Sequence, residues 1–259
     1  MRSWGQVLIA AGRMYASRFP LFVGIGIVFV PIALLVSLLQ GLALHATNVL
    51  GVQTGGESNG FVAFVVLAIG TTLTLLALGV TQAATARALV EIDEARSIGP
   101  LRAYRLAADS VVPLLGALLV ATVSVSLLAS SIFLLPIAVW LAGRWALIAP
   151  AIELEQLSAL RALRRSGRLV HTRWLKVASL IVLGGGIVLV AGPLVGVGLI
   201  LGTDAPFWLV NVVAGVVYAL AMPFVALTTA YLYFDARARH EVADETEPTD
   251  LPAEYGLSV

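Results

Sequence analysis

The residues of this 259-residue chain that could do chemistry are few and scattered. Its three histidines, His45, His171 and His240, fall in separate segments, so their spacing predicts neither a metal site nor a catalytic triad. Glu153 and Glu155 are close in sequence, but they flank an apolar stretch, where acids at helix ends are common. The chain has no Cys, which excludes disulfides, zinc thiolate sites and iron–sulfur clusters. We therefore expect no catalytic residue, no cofactor and no enzyme activity.

One polar residue, Arg144, lies inside an otherwise apolar stretch. An arginine in the middle of a membrane costs roughly 2.5–3.5 kcal/mol on insertion scales. A structural interpretation places its guanidinium near the headgroups, stacked on Trp140 one turn earlier. The alternative is a substrate-facing site, and the two stay open. We expect the residues of such an intramembrane polar site to be Arg144, Gln82, Asn211 and Glu153.

An ion pair between Arg144 and Glu153 would need a break in the helix. Nine residues separate the two, which is about 13 Å along a straight helix. Pro150 lies between them and could supply that break.

Positive charge is concentrated in a basic belt, a predicted amphipathic helix at 157–170 and the residues just after it. Each basic residue near an anionic leaflet contributes about 1 kcal/mol of attraction. The belt favours three interpretations: anchoring of the topology, a specific phosphate or lipid site, or a contact with a protein partner. Its predicted lipid-contact residues are Arg161, Arg164, Arg165, Arg168, Arg173 and Lys176.

The composition indicates the class of protein that must position these residues. The chain is 59% hydrophobic and 12% charged, whereas soluble domains carry about 25% charged residues. Its mean hydropathy is +0.97. The first long apolar run begins only at Leu21, which predicts a retained span rather than a cleaved signal. These features predict an integral membrane protein.

Apolar runs of the length that crosses a bilayer predict an all-α, polytopic bundle of six spans. Pro31 should kink the first span. A tight turn near 130–133 should separate the third span from the fourth. The expected spans are 21–44, 61–87, two within 111–153, 175–201 and 207–233.

Three amphipathic segments, at 3–19, 100–109 and 157–170, each precede a pair of spans. We expect them to lie at the membrane interface. The order predicts three repeated units, 1–95, 96–154 and 155–236, with true duplication left open. The remaining tail, 237–259, is acidic and is expected to be disordered.

The charges also predict an orientation. Of the sixteen Lys and Arg residues, all but Arg144 fall in loops on one side of the six-span topology. The opposite loops offer only Glu57 and Asp204 as charges. Because cytoplasmic loops concentrate basic residues, we expect both termini to be cytoplasmic.

Several motifs resemble a known family. The chain is similar to the prokaryotic membrane domain named after glycerophosphoryl diester phosphodiesterase, and to its six-span relatives. The resemblance implies a six-helix domain in a prokaryotic plasma membrane. It does not imply hydrolysis, because in that family catalysis belongs to a separate soluble barrel, which we expect this chain to lack. The matching residues are Gly143-Arg144-Trp145, Pro150-Ala151, Glu153, Ala162-Leu163-Arg164-Arg165-Ser166, Leu169-Val170, Arg173-Trp174 and the closing 231–237.

We therefore expect a non-catalytic integral membrane protein that binds lipids or a membrane or cytoplasmic protein, and no nucleic acid. It would support envelope assembly or a lipid-handling enzyme. The alternative is a transporter of small solutes or lipids. A midplane cavity lined by Arg144, Gln82 or Asn211 would favour transport, and a close-packed bundle would not.

Overall fold

The computed structural model describes residues 4–49, 58–129, 131–171, 174–203 and 206–246. Within these ranges the chain is helical and contains no strand, so the predicted all-α class is confirmed. A short 3-10 turn, Ala108–Ser110, links the fifth helix to the sixth. The helices are α1 (Trp4–Ser17), α2 (Phe19–Gly26), α3 (Phe29–Val49), α4 (Ser58–Asp93), α5 (Pro100–Ala107), α6 (Val111–Ala129), α7 (Leu135–Arg144), α8 (Ile148–Glu155), α9 (Ala159–His171), α10 (Trp174–Gly202) and α11 (Phe207–Thr246).

Five helical segments of the described chain are long and apolar enough to cross a membrane. They are Phe19–Leu39, Ile69–Asp93, Pro100–Ala129, Leu135–Glu155 and Trp208–Val242. The remaining predicted span, 175–201, coincides with α10. The apolar stretch described there, Val190–Gly202, is too short by itself to cross a bilayer.

Three of these segments are interrupted: Pro100–Ala129 by the 3-10 turn, and Phe19–Leu39 and Leu135–Glu155 each by a break that a proline explains. The ring of a proline clashes with the carbonyl group four residues earlier and cannot donate a helix hydrogen bond. Pro31 therefore disrupts the helix at Ile27, where α2 gives way to α3. Pro150 does the same at Ala146, in the turn between α7 and α8. Both breaks lie about one turn before the proline.

The three amphipathic segments form α1, α5 and α9, and their buried faces pack on the protein. Ala11 of α1 and Ala103 of α5 lie in one buried cluster with the C-terminal halves of α4 and α11. Val7 of α1 packs with Leu169 of α9 and Tyr233 of α11 in a second cluster. All three helices thus surround one end of the bundle, which we call the basic end.

The first amphipathic helix, α1, packs part of its surface against the protein. Val7 and Ala11 are fully buried, and the Tyr15 hydroxyl donates a hydrogen bond to the Leu220 carbonyl group at 2.6 Å. Small residues permit this contact, because Ala11 and its neighbours let α1 pack closely against α11. Its location at the membrane interface stays a prediction.

Each amphipathic helix is followed by apolar helices: α1 by α2–α4, α5 by α6–α8, and α9 by α10 and α11. The three-fold repeat of units 1–95, 96–154 and 155–236 stays a prediction, as does its origin by duplication.

The last helix extends beyond the predicted membrane domain. α11 continues to Thr246, so residues 237–246 are helical rather than disordered. Ion pairs at i, i+4 spacing stabilise this extension: Arg237 with Glu241 at 2.8 Å, and Arg239 with Asp235 at 2.7 Å. The rest of the acidic tail, 247–259, lies outside the described residues.

α11 is the helix against which much of the bundle packs. It contacts α1, α2, α3, α4 and α10. Gly26, at the end of α2, approaches α11 so closely that a Cβ atom there would overlap the Ala219 carbonyl oxygen. Because α11 reaches the basic end, it links the apolar bundle to the charged residues there.

Candidate functional site

The Arg144 side chain is held between two helices. It is the last residue of α7, and its Cζ atom lies 5.1 Å from the centroid of the Trp140 ring. A second surface comes from Gly167 of α9, where a Cβ atom would lie 2.7 Å from the Arg144 Nε atom. Any side chain at 167 would push the guanidinium away. The stacking on Trp140 that the sequence predicted is therefore observed, with Gly167 as an additional contact.

The helix break after Arg144 is closed by a side chain from α9. The Ser166 hydroxyl donates to the Arg144 carbonyl oxygen at 2.9 Å and accepts from the Leu147 backbone N–H at 3.2 Å. A helix end otherwise leaves such backbone groups without partners, which is costly when they are buried. Ser166 thus fixes the position of Arg144 relative to α9.

A further hydrogen bond ties α10 to the same place. The Trp174 indole N–H donates to the Trp140 carbonyl oxygen at 2.9 Å. Gly143 makes room for this ring, since a Cβ atom there would lie 2.7 Å from the indole nitrogen. Residues 140–147 therefore contact Ser166, Gly167 and Trp174, and these segments hold many of the residues that carry the family resemblance.

Positive charge dominates this place. Among the residues that the structure describes, no carboxylate forms an ion pair with Arg144. Arg164 and Arg168, on either side of Gly167 in sequence, are exposed on α9. The predicted pair between Arg144 and Glu153 is not formed, although the helix does break between them.

The basic belt divides into an outward face and an inward face. Arg165 forms an ion pair with Glu155, with 2.9 Å between Nε and Oε2, and Glu155 also accepts from the Tyr233 hydroxyl at 2.6 Å. Lys176 is largely buried and lies 3.9 Å from an oxygen of Asp235. These two basic residues join helices within the protein.

The outward face carries Arg161, Arg164 and Arg168, which are exposed at i, i+3 and i+7 along α9. Arg161 donates to the Ser158 hydroxyl at its own helix start, at 3.1 Å. Arg173 lies outside the described residues. Three of the six predicted lipid-contact residues thus face away from the protein.

Glu153 occupies a separate buried place. Only 1% of it is exposed, and neither carboxylate oxygen meets a donor with hydrogen-bond geometry. The groups that act on it electrostatically are Arg87, Asp109 and the Ser110 hydroxyl. Glu153 therefore faces the start of the second unit and α4, not Arg144.

Two other residues of the predicted intramembrane site are also apart. The Gln82 side chain of α4 donates to the Thr229 hydroxyl of α11 at 3.4 Å. Asn211 belongs to the first turns of α11, and about 27 Å of helix separates it from Thr229. The structure thus does not gather Arg144, Gln82, Asn211 and Glu153 into one site.

A groove of about 630 Å³ lies between the C-terminal parts of α4 and α11 and the end of α1. Asp93, Glu94 and Asp235 line it, and Tyr231 and Phe234 give it an aromatic wall. Glu94 and Asp235 are in ion pairs with arginines, which offset their charges. None of the four predicted polar-site residues lines it. The sequence pattern did not single out this groove, because the groove exists only where three distant segments meet.

Comparison with protein-family models, with curated proteins and with solved structures gives no match to this chain. The resemblance to the phosphodiesterase membrane domain therefore stays a prediction.

Proposed function

We propose that this chain is a non-catalytic, multi-pass membrane protein whose basic end binds the anionic headgroups of one leaflet. The observation that supports this function is the outward face of α9. Its Arg161, Arg164 and Arg168 point away from a helix whose opposite side is packed in the protein core. A charged face held rigidly in this way is suited to a charged surface.

The proposal includes the sixth span and the orientation. α10 is a continuous helix of 29 residues, long enough to cross the hydrocarbon core of a bilayer. With α10 as a span, α1, α5 and α9 and both termini lie on one side. The positive-inside rule assigns that side to the cytoplasm of a prokaryotic cell.

In this function the protein presents a docking point at the leaflet surface for a lipid-handling enzyme or an envelope-assembly partner. The exposed arginines provide the lipid contact, and the groove beside α4 and α11 is a separate surface at the same end. The transport alternative has no supporting observation, since its predicted polar residues lie in separate contacts.

Lipid enrichment around the purified protein tests the proposal. The protein is reconstituted in nanodiscs that hold phosphatidylglycerol and phosphatidylcholine with identical acyl chains, and the lipids retained on extraction are counted by mass spectrometry. The triple variant R161Q/R164Q/R168Q removes about 3 kcal/mol of attraction. We expect its preference for the anionic lipid to fall at least about tenfold.

A matched control removes the same number of charges from arginines that already have carboxylate partners. This variant is R96Q/R237Q/R239Q, and it should keep most of the preference. An equal fall in both triple variants, or no fall in either, would contradict a lipid-binding face on α9.

A further inference from the structure

We propose that Arg144 binds the phosphate of a single anionic phospholipid, with one acyl chain of that lipid lying along α7. This inference rests on the proposed function, because it requires the chain to span a membrane. It deepens that function from a charged surface to one defined site.

The Arg144 guanidinium carries a charge that has no carboxylate partner among the described residues. An arginine in a membrane is costly unless an opposite charge offsets it. A phosphate is the anion that a planar guanidinium binds best, through two parallel hydrogen bonds.

The Arg144 guanidinium is also fixed in place before any ligand binds. Trp140 covers one part of it and Gly167 another, and Ser166 holds the Arg144 backbone at 2.9 Å. An arginine side chain that is free in solution loses much conformational freedom when it binds a ligand. Since these contacts restrict Arg144 beforehand, the entropic cost of binding falls.

An exposed apolar surface leads along α7 to Arg144. Ile137, Trp140 and Arg144 fall at i, i+3 and i+7 of α7 and therefore share one face. Phe133, in the turn just before α7, extends this apolar track and is 90% exposed, while Ile137 and Trp140 are 49% and 44% exposed. Such a track at the end of a membrane helix fits a hydrocarbon chain.

The length of the track favours a lipid. Eleven residues from Phe133 to Arg144 correspond to about 16 Å along a helix. A lipid whose phosphate lies at Arg144 would have its chain beside Trp140, Ile137 and Phe133. An apolar track of this length favours a lipid over a free phosphate ion.

The test measures binding of single lipids to delipidated full-length protein in a neutral detergent by native mass spectrometry. The probes are dioleoyl phosphatidylglycerol, dioleoyl phosphatidylcholine, and glycerol 3-phosphate as the headgroup without chains. We expect one phosphatidylglycerol to bind more tightly than the rest, and glycerol 3-phosphate not to displace it. R144Q should weaken this first lipid by about tenfold to a hundredfold.

Two further variants separate binding of one lipid at Arg144 from a general attraction of anionic lipids to the arginines of α9. R144K keeps the charge but loses the planar, bidentate geometry, so it should recover only part of the affinity. R161Q/R164Q/R168Q should lower the general preference for anionic lipid and still retain the single tight lipid. If that triple variant keeps its general preference while R144Q loses the tight lipid, the proposed function fails and the site stands.

Two results would overturn the inference. One is an R144Q protein, with an unchanged melting temperature, that binds the first phosphatidylglycerol as the parent does. The other is displacement of the lipid by glycerol 3-phosphate at equal concentration, which would make the site one for a soluble phosphate. If R144Q fails to fold, the W140L variant answers the same question, because loss of the stacked ring should weaken the same lipid.

Discussion

Glu153 and Glu155 lie on the same helix with one residue between them, and their carboxylates have opposite surroundings. Glu155, at the end of α8, accepts from Arg165 of α9 and from Tyr233 of α11. Glu153 is turned toward the other side of α8, is fully buried, and has no donor at hydrogen-bond geometry. Residues that are close in sequence can thus contact quite different parts of a helical bundle.

The carboxylates of Glu155 and Glu153 differ in whether they join helices. The group formed by Glu155, Arg165 and Tyr233 connects three helices at the basic end. The Glu153 carboxylate has Arg87 and the Ser110 hydroxyl near it but no donor at hydrogen-bond geometry, so the loss of its water is only partly offset. We conclude that Glu155 holds the basic end together and that Glu153 does not.

The largest loss of unfolding free energy should come from breaking the ion pair between Arg165 and Glu155. R165Q leaves Glu155 with only Tyr233, and loss of one partner of a largely buried pair costs about 3 kcal/mol. Unfolding in mixed micelles, followed by tryptophan fluorescence, measures this free energy. R161Q, on the exposed face of the same helix, is the control and should change it by less than about 0.5 kcal/mol. Equal losses of unfolding free energy in R165Q and R161Q would show that the ion pair does not stabilise the protein.

Removal of the other donor to Glu155, the Tyr233 hydroxyl, should cause a smaller loss of unfolding free energy. Y233F deletes one hydroxyl whose oxygen lies 2.6 Å from the carboxylate, and a hydrogen bond to a charged group contributes about 2 kcal/mol. The same unfolding measurement applies. In the E155Q background the loss should shrink, because the two residues act through one contact. If the losses of unfolding free energy from Y233F and E155Q simply add, the two residues do not stabilise the protein through a shared hydrogen bond.

The smallest change in unfolding free energy is expected when Glu153 is replaced. E153Q removes a buried carboxylate whose loss of water is only partly offset by Arg87 and the Ser110 hydroxyl, so the free energy of unfolding should change by less than about 1 kcal/mol, toward greater stability. E155Q is the matched control, with the same change of group two positions away. A loss at E153Q as large as that at E155Q would overturn the comparison.

Local features of this chain were predictable because they depend on neighbours in sequence. The turn predicted at 130–133 lies at residues 131–134 of the structure, between α6 and α7. Pro31 was expected to kink the first span, and a break does precede it, since its ring acts on the carbonyl group of Ile27. The amphipathic helices α5 and α9 begin and end within about two residues of their predicted limits.

The sequence alone determined that the chain forms apolar helices long enough to cross a membrane, because hydrophobicity and its period are local properties. The partners of each polar residue were decided only by the tertiary structure. Arg165 and Arg164 are adjacent in one basic run, yet one pairs with Glu155 and the other is exposed. The contact between Gly167 of α9 and Arg144 of α7 was likewise decided only by the tertiary structure. Such contacts depend on which helices meet, and that is set by packing between segments far apart in the chain.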